Sequence, residues 1–185
     1  TDGYSYFDII KDMLFTNTIN TKPIENIPHV KTSILKQTID EDFMIWFGHS
    51  SYYLQLNGKS ILVDPILSKN ASPIYGTNNA FEGSDIFTSD SLPKIDVLIL
   101  THDHYDHLDY TSFKNIKDKV RKIVCPLGVA AHLEYWEYPK ENITELDWYD
   151  KVAISDSINI TATPARHFSG RGFKRNNTLW ASYVL

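Results

Sequence analysis

A chain of 185 residues is long enough to bury one substantial core, so we expect one domain or most of one. The apolar content of 42% and the charged content of 22% are typical of a globular protein. The net charge of −5 argues against a general nucleic-acid-binding protein. No apolar run approaches the roughly 20 residues that a membrane-spanning helix requires, so we predict no transmembrane segment.

The single cysteine, Cys125, lies in an apolar stretch and has no partner for an intrachain disulfide. We expect it to be a buried structural thiol rather than a nucleophile. The chain begins at Thr1 rather than Met, which is compatible with removal of an N-terminal segment, although no signal peptide is visible. The compartment stays open, with the cytoplasm the simpler expectation, and the oligomeric state is unknown.

The N-terminal region carries no motif. Residues 4–15 place apolar side chains near helical spacing, which predicts a short helix. Residues 16–40 contain two helix-breaking prolines and predict an extended arm. We therefore expect an N-terminal helix and arm over residues 1–42, followed by a folded domain over residues 43–185.

The pattern changes to β-strands from Phe43 onward. Two apolar runs flank Asn57-Gly58, which is the strongest short-range signal for a β-hairpin. A loop rich in Ser, Asn, Gly and Pro follows over residues 68–94, and loops of that length are uncommon and often functional. The apolar run over residues 95–100 is typical of a strand that is buried on both faces.

Further short strands and two helices are predicted beyond that run. The strands are expected over residues 120–125, 143–146, 151–154, 158–163 and 178–185. The helices are expected over residues 109–118 and 127–138.

The most informative segment is THDHYDHLD, residues 101–109, which comes directly after a predicted strand. Neutral imidazole suits Zn²⁺, and carboxylate adds a hard oxygen ligand. On an irregular loop, His102 and His104 can turn toward one metal ion, whereas the adjacent Asp106 and His107 diverge from that direction and can reach a second. Two metal ions about 3.5–4 Å apart can stabilise both the attacking and the leaving oxygen of a hydrolysis. The alternative is an exposed polar loop with incidental histidines.

His167 is the strongest candidate outside that segment. It follows the predicted strand over residues 158–163, as the cluster follows its own strand, and the ends of two strands in one sheet can lie side by side. His167 could therefore join His102 and His104. Three histidines and a water complete a catalytic zinc shell with an open fourth position.

Four other residues are weaker candidates for the same site. Asp64 ends a strand, where it could orient a ligating imidazole through its second nitrogen or serve only as a turn residue. His49 lies between two strands and either faces the site, where it would support the metal ligands as Asp64 does without binding metal itself, or occupies a turn. Arg166 and Arg171 flank His167, where they could bind a phosphate or carboxylate or simply belong to a solvated loop.

The strand followed by Thr-His-x-His-x-Asp-His resembles the metallo-β-lactamase fold hydrolases. Three further stretches narrow the resemblance: Trp-Phe-Gly-His-Ser-Ser at residues 46–51, Ile-Leu-Val-Asp-Pro at 61–65, and Thr-Pro-Ala-Arg-His-Phe-Ser-Gly-Arg-Gly at 163–172. Together they are similar to the branch that includes the N-acyl-phosphatidylethanolamine phospholipase D enzymes and, more loosely, the L-ascorbate-6-phosphate lactonases. The resemblance covers about residues 43–185.

The resemblance implies an α/β (α+β) fold, namely the first half of an αβ/βα sandwich with mostly one mixed sheet and flanking helices, two zinc ions and a bridging hydroxide. His102, His104 and His167 would bind one zinc ion, and Asp106 and His107 the other. The family also needs a bridging aspartate and a final histidine further along the chain. We therefore expect this chain to be part of a longer protein and to have low activity alone.

The leading functional expectation is a zinc-dependent hydrolase in which a metal-bound hydroxide attacks a phosphodiester, as in a phospholipase D, with a small-molecule or lipid-derived substrate. Asp106 would act in catalysis through its metal ion, and Asp103 is a candidate proton shuttle. Arg166 or Arg171 would stabilise the developing anionic charge. The alternatives are a lactonase that acts on an acidic or phosphorylated lactone and an inactive metal-binding fragment.

Overall fold

A computed structural model describes Ser5, Asp8, Lys11, Asp12 and Phe15 together with residues 22–36, 41–74, 76–172 and 174–185. The apolar positions on which the helix prediction for residues 4–15 rested lie outside the described residues, as do parts of the predicted arm. Within the described part of the chain, no helix is both long enough and apolar enough to cross a membrane.

The described residues from 41 onward form nine strands and two α-helices. The strands are β1 (Phe43–Gly48), β2 (Ser51–Leu56), β3 (Lys59–Val63), β4 (Ile95–Ile99), β5 (Val120–Pro126), β6 (Ile143–Leu146), β7 (Lys151–Ala153), β8 (Asn159–Thr163) and β9 (Ser182–Val184). The helices are α1 (Tyr110–Ile116) and α2 (Ala130–Tyr135). Short 3-10 turns span Ile34–Lys36, Ser89–Ser91, Lys117–Lys119 and Lys140–Asn142.

Six of the strands form one mixed sheet in the order β1-β2-β3-β4-β5-β6. Neighbouring strands are antiparallel from β1 to β3 and parallel from β3 to β6. Strands β7, β8 and β9 form a second, antiparallel sheet. The predicted hairpin turns at Asn57 and Gly58, whose φ angles of 47° and 71° both lie in the left-handed region that a type I′ turn requires.

The central strands of the six-stranded sheet, β3 and β4, are buried on both faces, whereas the edge strand β1 exposes Met44 and Trp46. Leu62 and Leu98 point to the face that α1 and α2 cover, where they share one apolar cluster with Phe113 of α1. Ile61 points to the opposite face, where a second cluster includes Ile160 of β8. Because alternate residues of the central strands enter different cores, these strands are apolar throughout. The α/β fold with one mixed sheet and flanking helices, expected from the sequence, is therefore present.

Two predicted elements are shorter than expected. Helix α2 begins after Gly128 and ends before Glu137, and both residues have a left-handed φ that a helix interior excludes. Strand β9 begins only at Ser182, because Leu179 and Ala181 donate their backbone N–H groups to loops of the larger sheet, at Leu127 and Thr101. The segment before β9 therefore joins the two sheets next to the end of β4.

Candidate metal centre

Three imidazoles converge beyond the ends of β4 and β8. His102 Nε2 lies 2.9 Å from His104 Nδ1 and 3.0 Å from His167 Nε2, and the last two atoms are 3.3 Å apart. Zinc–nitrogen bonds of about 2.0–2.1 Å place two ligands of a tetrahedral ion about 3.3 Å apart. The three nitrogens, hereafter the three-histidine cluster, thus have the spacing that one shared ion requires. The structure brings His167 to His102 and His104, although β4 and β8 lie in different sheets.

A second cluster adjoins the first. His49 Nε2 lies 3.3 Å from His107 Nε2 and 3.2 Å from Asp106 Oδ2, and the three candidate ligand atoms all lie within 4.8 Å of one another. The ring centroids of His102 and His107 are only 4.0 Å apart. His49 was expected to support the metal ligands without binding metal itself. Its Nε2 atom instead lies next to the candidate ligand atoms of Asp106 and His107. We call His49, Asp106 and His107 the mixed cluster.

Asp64 connects the two clusters. Its carboxylate is 0% exposed and accepts hydrogen bonds from His107 Nδ1 at 2.8 Å and from the Thr101 hydroxyl at 2.6 Å. Since the Thr101 proton is donated to Asp64, the hydroxyl oxygen is left to accept from His102 Nδ1 at 2.9 Å. Both histidines then carry their lone pair on Nε2, the atom that faces the clusters. The φ of 40° at Asp64 is rare for a non-glycine residue and is typical of functional sites.

His102 and His104 of the three-histidine cluster are held neutral because their pKa values are lowered. Burial and the nearby imidazoles lower the pKa of His102 to about 2, from a usual 6.5. Burial and His167 likewise lower the pKa of His104. A neutral imidazole is the form that binds a metal ion, so these histidines are already in the ligand state at neutral pH.

The loop that carries the clusters is anchored in the core at its C-terminal end. Leu108 is 0% exposed, and its backbone N–H donates to His104 O at 2.8 Å. Asp109 caps α1 by accepting from the Ser112 backbone N–H at 2.8 Å. The loop is therefore fixed between β4 and α1 rather than exposed as a solvated segment.

Asp103 and Arg171 have roles other than those expected. Asp103 is 3% exposed and accepts from the Gly170 backbone N–H at 2.7 Å, so its carboxylate is turned toward the His167 loop and not toward the clusters. Burial raises the pKa of Asp103, but its contacts with His132 and Gly170 outweigh burial and leave the pKa below its usual value. Such a carboxylate is poorly suited to carry protons, and its contacts fit a positioning residue.

The Arg171 guanidinium is occupied by the protein itself. It donates to the backbone oxygens of Asp103 at 2.9 Å and Leu108 at 2.6 Å, and it lies 4.0 Å from the centroid of the Tyr105 ring. The expectation that it binds substrate does not match these contacts. The hydrogen bonds of Asp103 and Arg171 thus connect the loop that carries His167 to the loop that carries His102 and His104. Arg166, in contrast, is exposed and has no hydrogen-bond or ion-pair partner among the described residues.

A largely apolar cavity of about 590 Å³ lies beside the mixed cluster, and His49 and Asp106 form part of its wall. Other wall residues come from β1 and from the loops that follow β3: Ile45, Phe47, Leu67, Ala71, Phe81 and Phe87. Residues 27–30 of the N-terminal arm also line it. Sequence reasoning missed that contribution, because the arm carries no motif.

Paired histidine-rich clusters at the strand ends of a mixed sheet are typical of metal-dependent α/β proteins. A family model described as the beta-lactamase superfamily domain matches residues 59–185. The chain belongs to the beta-lactamase superfamily.

Individual relatives agree with this assignment. The chain is 36% identical over 168 residues to an uncharacterized protein of Mycobacterium tuberculosis, an alignment that covers 89% of this chain and 44% of the relative. It is 30% identical over 150 residues to the mitochondrial N-acyl-phosphatidylethanolamine-hydrolyzing phospholipase D of Saccharomyces cerevisiae, covering 76% of this chain and 30% of that protein. The chain thus spans less than half the length of these curated relatives.

A solved structure with a similar fold is that of CmlA, a diiron beta-hydroxylase from Streptomyces venezuelae. The TM-score is 0.53 at 26% sequence identity, over 67% of this chain and 24% of that chain.

Proposed function

We propose that this protein is a zinc-dependent hydrolase of phosphodiesters with a lipid-derived substrate. The observation that carries the proposal is the convergence of His102 Nε2, His104 Nδ1 and His167 Nε2 within 3.3 Å of one another. The region over residues 43–185 would form the metal-binding part of the enzyme. Zinc bound there would supply Lewis acidity and would lower the pKa of a bound water molecule to about 7.

Zinc is favoured over iron by the donor set. Three neutral imidazoles with an open fourth position are a common catalytic zinc shell. A solved structure with a similar fold is a diiron enzyme, so iron also occurs on this fold. Elemental analysis of the purified protein would distinguish zinc from iron.

A phosphodiester is favoured by the relative named as a phospholipase D and by the charge beside the site. Arg166 directly precedes His167 and is exposed without a partner among the described residues. Its guanidinium is therefore available to donate two parallel hydrogen bonds to the oxygens of a phosphate. The apolar cavity beside the mixed cluster supports a substrate with a hydrocarbon part, since cavities of 300–1,000 Å³ accommodate ligands of that size.

Some residues of the chain would bind the metal ions or the substrate, and others orient the metal-binding imidazoles. The three-histidine cluster would hold one ion, and Asp106 and His107 would hold the second. Asp64 and Thr101 keep His102 and His107 in the tautomer with a free Nε2. Arg166 would bind the anionic group, and the cavity would take the apolar part and exclude water from it.

The test compares metal-depleted and zinc-loaded protein in hydrolysis of bis(p-nitrophenyl) phosphate, of N-acyl-phosphatidylethanolamine in mixed micelles and of a panel of acidic lactones. We expect slow but zinc-dependent hydrolysis of the phosphodiesters by this chain, and its loss in His104→Ala. Hydrolysis of the lactones alone would reject the substrate class. Hydrolysis that is unchanged by metal removal would reject the mechanism, and greater activity with iron than with zinc would reject the metal.

A further inference from the structure

We infer that His49 is the third protein ligand of a second metal ion, which it binds together with Asp106 and His107. The inference rests on the proposed function, because it supposes that this edge of the sheet holds metal ions. The family resemblance assigns Asp106 and His107 to that ion and gives His49 no part in it. The imidazole of His49 would thus be an additional ligand.

The geometry of the mixed cluster favours a shared cation over a hydrogen bond. His107 Nδ1 donates to Asp64, so His107 Nε2 carries a lone pair, and that atom faces His49 Nε2 at 3.3 Å. Asp106 Oδ2, 3.2 Å from the same His49 nitrogen, is a second acceptor. A single N–H of His49 can satisfy only one of these acceptors well, whereas a divalent cation can bind all three donor atoms.

The backbone at His49 holds the imidazole in this position at an energetic cost. His49 has a φ of 47°, Gly48 has a φ of 108°, and the pairing of β1 with β2 shifts register between Trp46 and Gly48. The Trp46 indole N–H donates to His49 O at 2.9 Å and braces the turn. Left-handed non-glycine residues are strained and cluster at ligand sites, where the strained backbone orients a side chain. A turn without a ligand role would favour Gly or Asn at this position.

The donor set has the composition of a catalytic site. His49, Asp106 and His107 supply two imidazole nitrogens and one carboxylate oxygen. Such a set leaves coordination positions for a water molecule or for the further ligands that the family resemblance implies. The side chains of His49 and Asp106 are 56% and 39% exposed, whereas that of His107 is 12% exposed. An ion there would be open to solvent on one side, and we expect it to exchange faster than an ion in the three-histidine cluster.

The test is the number of zinc ions that the protein retains after equilibrium dialysis against Zn²⁺, measured by elemental analysis, with affinities from chelator competition. We expect two ions for the wild type and one for His49→Ala. His49→Gln can still donate a hydrogen bond to Asp106 but lacks the imidazole ligand, so we expect it to behave like His49→Ala. His29→Ala is the matched control, because His29 is an exposed histidine that contacts the Ile27 backbone oxygen, and it should retain two ions.

The outcomes separate this inference from the proposed function. Retention of two ions with unchanged affinity in both His49 variants would overturn the inference and leave the proposed function standing. Loss of an ion in His49→Ala but not in His49→Gln would also overturn it, because a hydrogen bond to Asp106 would then suffice. A wild type that binds no zinc would reject the proposed function and this inference together. The ion retained by the three-histidine cluster reports that each variant is folded.

Discussion

Asp64 Oδ2 accepts a hydrogen bond from His107 Nδ1 at 2.8 Å, across 43 residues of sequence. The same buried carboxylate reaches His102 through the Thr101 hydroxyl, so a single acidic residue orients one imidazole in each cluster. Replacing it should therefore weaken both sites at once, although Asp64 lies in neither cluster.

We predict that Asp64→Asn lowers the zinc affinity of both sites by about 10–100-fold, the usual effect of losing a residue that orients a metal ligand. Asp64 Oδ2 accepts from both the Thr101 hydroxyl and His107 Nδ1, and Oδ1 accepts from the Thr101 backbone N–H. An asparagine NH₂ group at either position therefore faces a donor and leaves at least one of these hydrogen bonds unmade. Chelator competition measures the change. The control is Asp96→Asn, because Asp96 accepts hydrogen bonds from Ser60 away from the site. Equal zinc affinity in the two variants would contradict the prediction.

The sequence predicted the fold because its signals are local. Asn57-Gly58 readily adopts the positive φ angles that a type I′ hairpin turn requires, and the apolar run that ends at Leu100 is typical of a strand in the centre of a sheet. His167 was expected near His102 and His104 because two strands of one sheet can end side by side. Strands β4 and β8 belong to different sheets, however, and the three histidines meet because the two sheets pack against each other.

The roles of His49, Asp103 and Arg171 depend on where their side chains point, and sequence spacing does not predict that. His49 reaches His107 across 58 residues only because a strained turn points it there. Asp103 and Arg171 carry the charges expected of catalytic residues, yet both bond to backbone groups of the opposite loop. A charged side chain next to a metal motif can act in catalysis or hold a loop in place. Only the geometry of the loops distinguishes these two roles.

Arg171 should therefore act on metal binding and stability rather than on substrate affinity. We predict that Arg171→Met loosens the His167 loop, weakens zinc binding at the three-histidine cluster and destabilises the fold by about 2 kcal/mol, since hydrogen bonds from charged donors contribute about 1.5–3 kcal/mol. Zinc titration and urea unfolding measure the two effects. Arg166→Met is the matched control and should change neither, while raising KM for an anionic phosphodiester. Identical unfolding curves for the two variants would refute the positioning role of Arg171.

The metal-free protein should lose stability as the pH falls. The pKa of His102 is about 2 in the folded state, whereas histidine in an unfolded chain titrates near 6.5. Between those values the unfolded state binds a proton that the folded state does not, so stability rises with pH across this window and is lost as the pH drops below about 6.5.

Urea unfolding in EDTA at several pH values between about 7 and 5 tests this dependence. His102→Gln removes the buried imidazole and should show a shallower slope of unfolding free energy against pH than the wild type. His29→Gln, at an exposed histidine, should keep the wild-type slope. The attribution to His102 is wrong if all three proteins share one slope.

The packing of the N-terminal arm against the cavity wall should require a glycine at position 83. The Ile27 backbone N–H donates to Glu82 O at 2.8 Å, and a Cβ atom on Gly83 would lie 2.5 Å from Ile27 O. We predict that Gly83→Ala displaces residues 27–30 from the cavity wall and costs about 1–3 kcal/mol for the steric overlap, beyond the strain of a left-handed alanine. Gly58→Ala isolates that strain, because Gly58 also has a positive φ but nothing lies within 4 Å of its Cβ position. Hydrogen–deuterium exchange over residues 22–36 should rise in Gly83→Ala and stay at the wild-type level in Gly58→Ala. Equal exchange in the two variants would mean that the arm does not depend on this close approach.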